Sequence, residues 1–118
     1  MTIINFLTDY MPKYLGINKA YGEIAKSVYL SEKEGNPIFA NEQFETIRKR
    51  AAMGIPCCED IDSKKKENML DFFEYCLCIH RQRYHSADCQ NRIAELSQKP
   101  AVNEMVVLID PGPEGFWN

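Results

Sequence analysis

The chain has 118 residues, of which 45% are hydrophobic and 26% charged, with a formal net charge of −3. That length suits one domain able to bury a core without disulfides or metal, and the apolar content excludes intrinsic disorder. The negative charge argues against direct nucleic-acid binding, in which lysines and arginines displace counterions from phosphates.

The opening MTIINFLTDYMPKYLG lacks a basic n-region and is interrupted by Asp9 and Pro12, so no secretory signal is expected. Thr2 is a plausible N-cap for a first helix carrying Ile3, Ile4, Phe6, Leu7 and Tyr10, which Pro12 kinks or restarts. Ile17, Tyr21, Ile24 and Val28 then repeat one helical face before Gly35 and Asn36 end it. Asn36-Pro37 supplies an N-cap followed by proline at the first helical position, and Phe44, Ile47 and Ala51 continue an apolar stripe that Gly54 and Pro56 close.

The segment GIPCCEDID is a connector in which Asp60, Asp62 or Ser63 can cap the next helix. From Lys64 to about Leu96 the sequence reads as one long helical stretch, with a possible break at Ser86, and Pro100 is expected to end it. Met105 to Ile109 is short, apolar and β-branched, which predicts a buried strand or extended edge. Residues 110–118 form a Pro/Gly-rich tail with Phe116 and Trp117 near its tip. No apolar run is long enough to cross a membrane. The expected architecture is mainly α: a single domain, residues 1–118, built as a compact bundle of four or five helices with one short C-terminal strand or extended segment.

The long stretch holds both histidines and three of the five cysteines. Wound as an α-helix, it puts Met69, Phe72, Phe73, Cys76, Leu77, His80, Tyr84 and Ala87 on the buried side. Glu67, Asp71, Glu74, Cys78, Gln82, His85, Cys89 and Arg92 then fall on the opposite side. Cys78 and His85 would lie roughly 10 Å apart along such a helix, too far to share one zinc ion. Cys76 precedes His80 by four residues, but an apolar face keeps a thiol protonated and inert. No catalytic residue, metal or cofactor is therefore expected. The odd cysteine count and irregular spacing fit reduced thiols, which places the chain in the cytoplasm.

The enzymatic alternative is Arg81-Gln82-Arg83-Tyr84-His85, a histidine able to move a proton beside arginines able to steady a phosphate, as in metal-independent RNA cleavage. Small helical ribonucleases of the HEPN type carry such a pair at wider spacing, so that match fails. The basic runs Arg48-Lys49-Arg50 and Lys64-Lys65-Lys66 read as solvated helix ends.

Two features suggest protein binding. Glu59, Asp60, Asp62, Glu67, Asp71 and Glu74 form an acidic connector and outward stripe that could meet a basic partner. Glu114, Phe116 and Trp117 offer aromatic anchors in the tail. In composition the chain resembles bacterial immunity proteins and antitoxins, which implies neutralisation of a basic, nuclease-like toxin by direct binding. The small helical ribonuclease using His85 and Arg81 is the alternative.

Overall fold

The structure is a computed structural model that describes residues 1–35, 40–85 and 88–109, with the backbone only at 40–43 and 109. The expected cap at Asn36-Pro37, the positions Ser86 and Ala87, and the tail with Glu114, Phe116 and Trp117 lie outside the described residues.

Thr2 opens the first helix, its side-chain oxygen accepting the backbone N–H of Asn5 at 3.1 Å. From there α1 (Ile3–Asn5), a π-helical stretch (Phe6–Tyr10) and α2 (Met11–Leu15) follow without interruption. Pro12 accounts for the change of winding. It has no N–H for the carbonyl of Thr8, and the ladder shifts just before it, with Met11 donating to the carbonyl of Phe6 five residues back. Gly16, at φ 69°, ends α2 in a left-handed conformation that costs glycine nothing sterically.

Asn18 leads into α3 (Ala20–Glu34), its side-chain oxygen accepting the N–H of Ala20 at 2.9 Å. The buried face of α3 is Gly22, Ala25, Val28, Tyr29 and Glu32. It is therefore rotated from the expected stripe, and Ile24 is left half exposed. The reason is close approach: a Cβ on Gly22 would stand 2.7 Å from the Cα of Thr8, so α3 lies directly on the backbone of the π-helical stretch. Small residues, rather than the largest apolar ones, choose the contact face.

In α4 (Ala40–Met53), Ile47 and Ala51 are buried as expected, and Gly54 follows with its N–H on the carbonyl of Ala51. Asp62 is the cap that opens α5 (Ser63–Tyr84), accepting from the N–H groups of Lys64 and Lys65 at 2.9 and 3.0 Å. The expected single rod ends here. His85 leaves helical dihedrals at φ −125°, ψ 7°, and the chain resumes as α6 (Gln90–Ser97).

Pro100 begins α7 (Pro100–Ile109) instead of ending a helix, since the first helical turn needs no N–H from it. Met105 to Ile109 is thus helical, with Val102 and Met105 buried, and no strand occurs among the described residues. The β-branched run suggested a strand, but tertiary packing of one helical face outweighs such weak propensities.

The molecule is a mainly-α globule with α5 at its centre, touching α2, α3, α4, α6 and α7. Phe6 from the N-terminal helix and Phe72 from α5 meet with ring centroids 4.8 Å apart inside a core that also holds Ile3, Met11, Tyr29 and Leu77. Each such side chain contributes about 1.5–3 kcal/mol by leaving water.

Candidate functional site

Because α5 is covered on nearly every side, the division of its residues into two faces is only half right. Met69, Phe72, Phe73, Cys76, Leu77 and His80 are buried as the spacing predicts, and Glu67 and Gln82 are exposed. Asp71, Glu74, Cys78 and Cys89, expected to face outward, are buried too, whereas Tyr84 is half exposed. Asp71 and Glu74 are therefore not surface carboxylates for a partner.

Neighbouring helices supply their counter-charges. Arg48 of α4 reaches Asp71 and Glu74 at 2.5 and 2.8 Å, Arg92 of α6 holds Glu74 at 2.5 and 2.9 Å, and Lys99 meets Asp71 at 3.0 Å. The Glu74 hydrogen bonds raise Arg92 well above its ordinary range. A buried carboxylate is tolerated only when paired in this way, so these groups tie α4, α6 and the start of α7 to α5.

A second buried pair joins Glu32 of α3 to Arg81 of α5, with Arg50 3.8 Å from the same carboxylate. Arg81 is thereby committed to the interior and does not present its guanidinium to a phosphate at the surface beside His85. His80 sits among Tyr29, Tyr84 and His85, with ring centroids 5.3, 4.9 and 5.3 Å away. Neither of its ring nitrogens has a hydrogen-bond partner among the described residues, and burial first, then the charge of His85, lowers its pKa to about 4.

Cys78 of α5 and Cys89, the N-cap residue of α6, are both buried. Interaction with Cys89 and then burial push the Cys78 thiol up, whereas interaction with Cys78 and the charge of Arg81 lower Cys89 against the effect of burial. His85 does not complete a metal site with them: no group of three or more histidine, cysteine or acidic side chains among the described residues could hold a metal ion. All five cysteines are free thiols.

The surface carries the rest. Glu59, Asp60, Asp62 and Glu67 are exposed along the connector and the first turns of α5. Just before them is a cleft of about 140 Å³ lined by Tyr21 and Ile24 of α3, Met53 of α4, and Gly54, Pro56, Cys57 and Cys58 of the connector. Its apolar wall is open to solvent, Ile24 being 49% and Met53 63% exposed. Carboxylates stand beside it in the chain on both elements, Glu23 next to Ile24 and Glu59-Asp60 after Cys58.

A broader groove between α5 and α7 is lined by Lys64, Glu67, Asn68, Asp71, Lys99 and Glu104, among others, with a volume of about 490 Å³. Its charges are mixed, and its innermost carboxylate, Asp71, is already paired with Lys99. No helix among the described residues is long and apolar enough to cross a membrane.

The cleft was not foreseen because Ile24 belongs, by spacing, to an apolar stripe, and only the position of Gly22 turns it outward. Arg48, Arg92 and Lys99 were missed as well. Two carboxylates three residues apart and flanked by Leu70, Phe72, Phe73 and Tyr75 are the signal that could have found them, since such a segment demands buried cations from elsewhere. Comparison with family models, with curated proteins and with solved structures finds no match.

Proposed function

We propose that the protein acts by binding another protein and carries out no chemistry of its own, as an immunity- or antitoxin-type inhibitor of a basic, nuclease-like toxin. The observation that carries this reading is the solvent-open apolar cleft of Ile24 and Met53, with the exposed carboxylates Glu23, Glu59 and Asp60 next in the chain to residues that line it or following them. An apolar centre rimmed by charge is the usual anatomy of a protein interface. Carboxylates at such a rim accelerate encounter with a basic surface and reject acidic ones.

The ribonuclease alternative asks Arg81 and His85 to act together on a phosphate, and the pairing of Arg81 with Glu32 works against it. Asp71 and Glu74 drop out of the proposed surface, while Glu59, Asp60 and Glu67 stay in it, Glu67 at its far edge. Asp62 is exposed but occupied as a helix cap.

Co-expression with the product of a neighbouring gene tests the reading. The expected result is a complex that survives purification and relief of that product's toxicity. Absence of both would remove the proposal. Metal-independent cleavage of bulk RNA by the purified protein, lost on His85→Ala, would favour the enzyme instead.

A further inference from the structure

Cys57 and Cys58 are the cysteines that solvent reaches: Cys57 is exposed, Cys58 is half-buried, and Cys76, Cys78 and Cys89 lie in the core. Both line the same cleft as Ile24 and Met53. The connector that carries them is pinned on either side, since Ile55 and Ile61 are buried and the N–H of Ile61 donates to the carbonyl of Cys58 at 3.3 Å. Two consecutive thiols are thus held on the wall of an apolar recess, which reduces the ordering that a ligand must impose.

Neighbouring thiols can close on each other or on a third atom. Consecutive Cα atoms are about 3.8 Å apart, below the roughly 4.4 Å at which ordinary disulfide geometry begins. A direct sulfur–sulfur bond therefore strains the peptide between them, and an atom inserted between the sulfurs relieves that strain. A structural zinc ion wants about four donors, and no group of three or more histidine, cysteine or acidic side chains among the described residues could hold a metal ion. A trivalent atom with one valence already spent on carbon needs only two sulfurs.

We propose that Cys57 and Cys58 are a modification site for monosubstituted trivalent arsenicals, R–As=O, with the organic group R seated in the cleft against Ile24, Met53 and Pro56. The cleft of about 140 Å³ is close to the apolar cavity of about 150 Å³ that holds a benzene ring, so R is of aryl size. Each thiol adds to arsenic in turn: two S–H bonds break, two As–S bonds form, the arsenic–oxygen bond is lost, and the oxygen leaves with both protons as water. Arsenic stays trivalent, and no outside oxidant or reductant is needed. The second As–S bond forms within the molecule, so the pair holds arsenic far more firmly than a lone thiol does. The site shares its cleft with the proposed partner surface but does not depend on any partner.

The test adds one equivalent of phenylarsine oxide to the full chain under native conditions, follows with N-ethylmaleimide, and locates the alkylated cysteines by peptide mass. The expected adduct is heavier than the chain by the reagent less one water, and Cys57 and Cys58 are both shielded from the alkylation that reaches them in untreated protein. Excess mercaptoethanol, a monothiol, leaves the adduct in place, and dithiothreitol strips it. Cys57→Ser and Cys58→Ser, each checked for fold by its melting curve, are expected to bind at least a hundredfold more weakly. Should either fold poorly, the shielding pattern of the unsubstituted chain decides alone. Methylarsine oxide isolates the share of the cleft: it is expected to bind the unsubstituted chain more weakly than the phenyl compound, and Met53→Asp is expected to narrow that difference. Shielding of neither thiol or of one only, an adduct that mercaptoethanol removes, capture at the interior cysteines, single-cysteine variants that bind as tightly as the parent, or equal affinity for the two arsenicals would each overturn the proposal.

Discussion

Arg92 of α6 grips Glu74 of α5 through two hydrogen bonds, Nε to Oε2 at 2.5 Å and Nη2 to Oε1 at 2.9 Å, around a carboxylate that has no exposed surface. Arg48 of α4 approaches the same carboxylate from another helix at 2.8 Å. One acidic side chain thus fixes how three helices meet.

Glu74→Ala leaves two guanidinium groups without their shared partner in a partly buried setting. Breaking a buried pair from one side costs about 3–5 kcal/mol. Urea unfolding is expected to show a loss of that size, whereas Glu67→Ala, on an exposed turn of the same helix, is expected to change stability by less than about 0.5 kcal/mol.

Gly22→Ala tests the seat of α3 on the N-terminal helix. The added Cβ would come within 2.8 Å of the carbonyl oxygens of Leu7 and Thr8, which are backbone atoms that cannot rotate away. Overpacking of this kind costs about 1–3 kcal/mol. Gly16→Ala is the control, because nothing lies within 4 Å of its Cβ and only the positive φ is strained, for about 1 kcal/mol.

His80 makes stability depend on pH. Its folded pKa is lowered from 6.5 to about 4 by burial and by the neighbouring His85. Between those values the unfolded chain takes up a proton that the folded chain refuses. Stability is therefore full above pH 6.5, declines as pH falls by up to about 1.4 kcal/mol per unit, and the loss is complete below about pH 4. His80→Phe keeps a ring among Tyr29, Tyr84 and His85 and removes two nitrogens that have no hydrogen-bond partner among the described residues. Melting curves of this variant are expected to match or exceed those of the parent at neutral pH and to flatten between pH 6.5 and pH 4.

Local signals in the sequence were read well and long-range ones poorly. Thr2, Asp62 and Gly54 mark helix ends through interactions within a few residues, so they are legible one segment at a time. Ile47, Ala51, Phe72 and Leu77 follow helical periodicity into the core for the same reason. The sides of α5 are another matter, because Asp71, Glu74 and Cys78 are buried by α4, α6 and α7, and their partners Arg48, Arg92, Lys99 and Cys89 come from other helices or the segments joining them. Pro100 is ambiguous from sequence, since proline can follow one helix or start the next. Of the candidate interface, Glu59, Asp60 and Glu67 were legible as exposed acids. The apolar half was not, because Gly22 rotates Ile24 out of its stripe.

Ile24→Lys and Met53→Asp alter the apolar wall of the cleft where both side chains meet solvent. Stability is expected to stay within about 0.5 kcal/mol of the parent, since neither residue contributes buried area comparable to the core. Circular dichroism melting curves that superimpose on the parent's check this.

The most direct measurement of the proposed binding role is calorimetric titration of the purified protein into the product of the neighbouring gene, repeated with a Met53→Asp/Glu59→Lys variant whose fold is verified by its melting curve. The account predicts a stoichiometric complex for the parent, weakened at least a hundredfold in the variant, a loss of about 2.7 kcal/mol. No binding by the parent, or equal binding by both, would contradict it.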